Sequence, residues 1–208
     1  MKKIKNIIFD FGGVLLNLDR QACIDAFVSL GFDNVDTYLN NYRQRGIFRR
    51  LEMGEVSVCE FCDGVRKAIG KPVSDEQIAD AWAQFVLDVP DQKLNLLLEL
   101  RKKYRIFMLS NTNEIHVQRT FSCYFEKDAH TLSDYFEKVY LSNELNMTKP
   151  DACIFEYVLQ DASIQADETL FIDDAEPNVE AARELGFQTY LAKPGDDLSF
   201  LLSLDCSE

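Results

Sequence analysis

The sequence predicts an α/β fold, a parallel sheet with helices on both faces, into which a small helical domain is inserted. Two observations predict it. Short apolar, β-rich runs recur at residues 7–9, 106–109, 139–141, 170–172 and 189–191, with amphipathic helical stretches between them. That alternation is what parallel crossovers produce. The first interval breaks the rhythm: about 95 residues part the first two runs, far more than a crossover helix requires, and helical signals fill them. At 208 residues the chain is long enough for one good core plus such an insertion.

The first run lies in NIIFDFGGVLLNLD (6–19) and ends in a single acid, Asp10, followed by Gly12 and Gly13. Beyond it, DRQACIDAFVSLG and DEQIADAWAQFVLDV carry apolar residues at helical spacing, and Ser57-x-x-Glu60 and Ser74-x-x-Gln77 are spaced as capping boxes. The insertion is therefore placed at residues 17–88, leaving 1–16 and 89–208 as the α/β core. Within that core, DQKLNLLLELRKKY and CIFEYVLQDA read as crossover helices. AEPNVEAARELGF shows both ends of one, with Pro177 near its start and Gly186 just past its end.

A net charge of −13, from 35 acids against 22 bases, argues against a nucleic-acid partner, which needs clustered Lys and Arg. It does not argue against a small anionic substrate, because the charge of a site and of a whole molecule are separate matters. Only a three-residue apolar run precedes Asp10, too short for a secretory signal. No stretch approaches the roughly 18 apolar residues of a membrane span. A cytoplasmic protein without a membrane partner is expected; a monomer is compatible with the sequence, which leaves the oligomeric state open. Cys59 and Cys62 form C-x-x-C without a second pair or a histidine at zinc-site spacing, and are expected as two small apolar residues on a buried helix face.

Polar residues gather at the carboxyl ends of the runs. Asp10 follows IIF, Ser110 and Asn111 follow IFML, Asp173 and Asp174 follow LFI, and Lys149 comes eight residues after VYL. Singly, each has a plain structural reading as a turn or helix-cap residue. In an open parallel sheet, however, the carboxyl ends form one rim where ligands bind. Three carboxylates at that rim call for a cation, and all-oxygen ligation with room for water and phosphate suits Mg²⁺. The Ser110 hydroxyl, the Asn111 amide and the Lys149 ammonium then face the anionic partner of that cation, a small phosphorylated substrate. A phosphoryl group in transfer needs such stabilisation, and Asp10 is the candidate attacking carboxylate.

IIFDFGGVL, MLSNTNEIH, LNMTKPD and LFIDDAEPNVEAARELGF resemble, in order, the four motifs of the haloacid dehalogenase-like (HAD) hydrolases. The resemblance spans residues 4–192. It implies a Rossmann-like core with a helical type 1 cap inserted after the first strand. The stretch from Ser110 onward is similar to bacterial α-D-glucose-1-phosphate phosphatases and, more distantly, to the phosphatase domain of soluble epoxide hydrolase. By position, the resemblance implies Asp10 as nucleophile and metal ligand, and the Gly12 carbonyl and Asp174 as further ligands. Asp173 would serve in the outer shell of the metal and Asn178 through water. Ser110 and Asn111 would hold the phosphoryl oxygens, and Lys149 would bridge nucleophile and phosphate. The implied activity is a Mg²⁺-dependent phosphomonoesterase acting on a sugar phosphate.

Gly12 departs from the family's main pattern, which places a second Asp there as general acid and base. General acid–base help is worth roughly 10²–10⁴ in rate, so the acid is expected to come from elsewhere. The departure also motivates a weak or inactive phosphate-binding relative as an alternative. A dehalogenase would share the lone Asp but dispenses with Mg²⁺, which the Asp173–Asp174 pair argues against. A phosphorelay receiver would carry its acidic pair before the phosphorylated Asp, and here the pair comes last. Substrate selection is expected of the insertion, with YRQRGIFRRLEMGE a candidate lining in which most of Arg43, Arg45, Arg49 and Arg50 are solvated. His116 is placed either in the pocket or at a helix end.

Overall fold

A computed structural model describes residues 2–40, 44–127 and 129–206, with side chains to residue 204. Five parallel strands form one sheet in the order β3-β2-β1-β4-β5: β1 (Asn6–Phe9), β2 (Arg105–Ser110), β3 (Lys138–Leu141), β4 (Thr169–Asp173) and β5 (Gln188–Leu191). The five apolar runs read from the sequence are these strands, each lengthened by a residue or two. β1 takes the centre, and the order reverses beside it, so the crevice at a switch point opens over its carboxyl end.

Period-two alternation sends the strand residues to two different cores. Ile7, Phe9, Ile106, Met108, Leu170 and Ile172 face one side and pack with Leu94, Leu97 and Leu100 of the helix Asp91–Leu100. Ile8, Phe107, Leu109 and Phe171 face the other, against Ile154, Phe155 and Val158 of the helix Ala152–Asp161 and Ala182 of the helix Glu176–Glu184. Both faces of the sheet are covered, which is why the central strands β1, β2 and β4 are buried almost throughout rather than alternating, while the edge strands β3 and β5 are partly exposed.

Between β1 and β2 lie α1 (Arg20–Leu30), α2 (Gly46–Glu52), α3 (Val58–Ile69) and α4 (Asp75–Ala83). Both capping boxes are formed, at Ser57–Glu60 and Ser74–Gln77, so α3 and α4 start where the sequence starts them. α4 is shorter than its apolar pattern. It stops at Ala83, and the chain returns alongside the outgoing one: Asp19 N–H donates to Phe85 O, Leu87 N–H to Asn17 O and Asn17 N–H to Asp88 O. A third apolar cluster sits among these helices, built on Phe27, Phe32, Phe48, Phe61 and Trp82, and Ile115 from the segment after β2 enters it. Cys62 belongs to that cluster, but Cys59 is exposed. The expectation of two buried cysteines therefore holds for one, because three residues of helix turn Cys59 past the edge of the buried face.

Candidate active site

Asp10, Gly12, Ser110, Asn111, Lys149 and Asp174 line one pocket at the carboxyl rim of the sheet. Strand geometry does the gathering. Asp10 is the residue after β1 and keeps to the ladder through its N–H, which donates to Ile172 O at 2.8 Å; Ser110 closes β2 and Asp173 closes β4.

Lys149 is the hub. It is 2% exposed, and its Nζ lies 2.7 Å from Asp10 Oδ1, 2.7 Å from Asp173 Oδ2 and 2.8 Å from the Leu109 carbonyl. Burial works against its charge, but the two carboxylates more than offset that and hold the ammonium above the ordinary lysine range. Asp10 is pushed well up by burial first and by Asp173 second, with Lys149 opposing. Its Oδ1 is engaged by Lys149 and by the Phe11 N–H at 2.7 Å, while Oδ2 makes no hydrogen bond among the described residues. One carboxylate oxygen is thus held and the other is open to the pocket.

Asp173 is fully buried, and both its oxygens are occupied: Oδ1 accepts from Ala175 N–H and Asn178 Nδ2, and Oδ2 from Lys149 and, at 3.1 Å, Asn178. Asp174 is half-buried, and burial followed by the charge of Asp173 raises it to about 6. Asp10, Asp173 and Asp174 each bring an oxygen within 4.8 Å of the others, an all-oxygen acidic set that fits a hard divalent cation. Gly13 makes room for it. At φ +78°, its backbone lies so close to Asp174 that a Cβ would sit 2.0 Å from Oδ2. Gly12 has no such restriction: it is not in the left-handed region, and a Cβ there would meet only Leu18, at 3.4 Å. Asn111 differs from expectation. Its amide, expected to hold phosphoryl oxygens, clamps the Lys149 backbone, Nδ2 donating to Lys149 O and Oδ1 accepting from Lys149 N–H, both at 2.9 Å.

The insertion contributes Gln44 and Glu52 to the pocket wall, both from the stretch expected to line it. Arg45 and Arg50 are exposed, Arg49 is half-buried and reaches the Met53 sulfur, and Arg43 lies outside the described residues. His116 turns out to satisfy both of its alternatives. It lines the pocket, and it sits in the first turn of the helix Glu114–Phe125, capped by Asn113. Its Nε2 meets Trp82 O at 3.1 Å and its ring lies 4.4 Å from the Trp82 ring; burial lowers it to about 4, so it is neutral. Glu52 was hidden in the sequence among charged neighbours. The one signal for it is spacing: Phe48, Leu51 and Glu52 fall on one face of α2, an acid where that face is otherwise apolar.

Known proteins resemble this chain over nearly its whole length. The family model described as haloacid dehalogenase-like hydrolase matches residues 4–186. A D-ribitol-5-phosphate phosphatase of Bacteroides thetaiotaomicron is 40% identical over 194 residues, 93% of this chain and 94% of that protein. A HAD-family enzyme of the same organism, solved with magnesium and inorganic phosphate, superposes with a TM-score of 0.90 at 47% identity, covering 95% of this chain and 98% of the other. A HAD-like family hydrolase of Porphyromonas gingivalis gives 0.90 at 35% identity with both chains covered completely.

Proposed function

From the premise that this chain belongs to the haloacid dehalogenase-like hydrolases, we propose that it is a Mg²⁺-dependent phosphomonoesterase, that its substrate is a small sugar or polyol phosphate, and that the phosphoryl group passes through Asp10. The observation that carries the reading is the Asp10 carboxylate itself, with one oxygen pinned by Lys149 and Phe11 N–H and the other free in the pocket.

The acidic set fits Mg²⁺, with Asp10, Asp174 and the Gly12 carbonyl as ligands and Asp173 behind them, its oxygens spent on Lys149, Ala175 and Asn178. Bound there, the ion would neutralise charge on the transferring phosphoryl group. The chain's own residues do the rest. Asp10 Oδ2 attacks phosphorus and the bond to the leaving oxygen breaks, leaving an acyl phosphate that water then opens. Lys149, oriented by Asp173 and by the Asn111 clamp, keeps Asp10 in its attacking conformation and stabilises the equatorial oxygens together with the Ser110 hydroxyl. Residues 17–88 act as the cap that shields this chemistry and selects the substrate, over a core of 1–16 and 89–208. Among the described residues no helix is long and apolar enough to cross a membrane.

A panel of phosphorylated metabolites including ribitol 5-phosphate and glucose 1-phosphate, assayed with Mg²⁺ and with EDTA, tests the activity. Asp10→Asn, nearly isosteric but a poor nucleophile, should abolish turnover and acyl-phosphate trapping while leaving the thermal transition in place. Full activity in a verified metal-free preparation, or a tenth of wild-type activity in Asp10→Asn, would refute the reading.

A further inference from the structure

We propose that Glu52, reaching into the pocket from the helical insertion, is the general acid and base of the reaction, in the role for which the chain has no carboxyl at position 12. The inference rests on the phosphatase reading above. Four observations carry it.

Glu52 ends α2 and lines the same pocket as Asp10, Ser110, Lys149 and Asp174. It is 8% exposed, and its carboxyl makes no hydrogen bond among the described residues. An ionisable group left buried and unpartnered is costly, and such groups cluster where chemistry needs them. The neighbouring Gln44, by contrast, is used structurally, with both amide atoms on the Asn40 backbone.

The placement of Glu52 is set by the core rather than by the insertion alone. Ser142 Oγ donates to the Glu52 carbonyl at 2.6 Å and accepts from Thr112 N–H at 2.9 Å, so the same hydroxyl ties the end of α2 to the loop after β2. One residue on, Met53 O accepts from Asn146 Nδ2 at 2.9 Å. Gly54, at φ +66°, packs so tightly that a Cβ would lie 2.1 Å from the Asn143 carbonyl. Three consecutive residues are thus docked on the segment 142–146, and Glu52 is held at the wall of the pocket that Asp10 and Lys149 line. Burial pushes its carboxyl up to about 8, with Arg49 opposing only in part, so it carries a proton near neutral pH.

The proton balance is complete. As Asp10 Oδ2 bonds to phosphorus and the ester P–O bond breaks, the leaving oxygen takes the Glu52 proton and departs as an alcohol. The Glu52 carboxylate then takes a proton from water as its oxygen attacks phosphorus. The P–O bond to Asp10 breaks, phosphate leaves, and both carboxyl groups return to their starting states.

Glu52→Gln keeps the size and removes the proton. Wild type and variant are compared with Mg²⁺ on p-nitrophenyl phosphate, whose leaving group needs little protonation, and on the fastest aliphatic ester of the panel above. On the aliphatic ester the variant should lose about 10²–10⁴ in kcat. On p-nitrophenyl phosphate it should keep a rapid burst of p-nitrophenolate, followed by slow turnover with acyl phosphate accumulating. Binding of inorganic phosphate with Mg²⁺ should stay at the wild-type level, and Glu52→Asp should recover part of the rate. A loss below about threefold on the aliphatic ester, or equal losses on both esters without a burst, would overturn the assignment. A wild-type chain inert toward every ester would instead remove the phosphatase reading, and this inference with it.

Discussion

Gly13→Ala puts the proposed metal site to its most direct test. The added Cβ would lie 2.0 Å from Asp174 Oδ2 and 2.6 Å from its Cγ, at a backbone φ of +78°. Ordinary contact begins near 3.4 Å, so the carboxylate must retreat by about 1.4 Å, the difference between 3.4 and 2.0. The left-handed backbone adds about 1–2 kcal/mol of strain for an L-residue, which for a chain of this size is a fall of roughly 2–8 °C in Tm. A displacement of about 1 Å at a reacting centre costs on the order of 10²-fold. The expected signature is therefore lopsided. kcat/KM at limiting Mg²⁺ falls about 10²-fold, the Mg²⁺ concentration for half activation rises, and the fold survives. Calorimetry reports the strain, and a Mg²⁺ titration of activity reports the site. Gly12→Ala is the control, because its Cβ meets only Leu18 at 3.4 Å and φ there is unrestricted. A Gly13→Ala enzyme with wild-type Mg²⁺ dependence would refute the assignment of Asp174 as a ligand.

Two further expectations concern buried ionisable groups. Lys149→Met leaves Asp10 and Asp173 facing each other without the ammonium that touches both at 2.7 Å, so the metal-free protein should lose about 3–5 kcal/mol of stability by denaturant titration. A loss under about 1 kcal/mol would show the pair to be compensated elsewhere. His116, held near 4 against 6.5 for a free histidine, binds fewer protons folded than unfolded between those values. It therefore contributes stability that is fully present above pH 6.5 and is lost as the pH falls toward 4, up to about 3 kcal/mol. The difference in unfolding free energy between wild type and His116→Asn should shrink over that window, and a flat difference would mean the imidazole is not buried neutral.

How far the primary structure reaches is clear from individual residues. The three central strands were legible because they are buried on both faces and read as apolar runs, and β1 was marked by Asp10 at its end; the edge strands β3 and β5 are partly exposed and were read from short β-rich runs. Both capping boxes and the helix bounded by Pro177 and Gly186 were legible because caps are local chemistry. The convergence of Asp10, Ser110, Lys149 and Asp173 was legible too, since parallel strands leave their carboxyl ends on one rim. What the sequence could not determine are relations between distant segments. That Asn111 spends its amide on Lys149 depends on contact across 38 positions, and that Gly13 rather than Gly12 is the restricted glycine depends on where Asp174 folds back. Glu52 is the sharpest case. In the sequence it is one acid among charged neighbours on a short helix. Only the docking of α2 on Ser142 and Asn146, residues some ninety positions away, removes it from water and brings it to the wall of the pocket that Asp10 lines. Periodicity and capping are written within a few residues, whereas the protonation state of a carboxyl is set by what the rest of the chain brings around it.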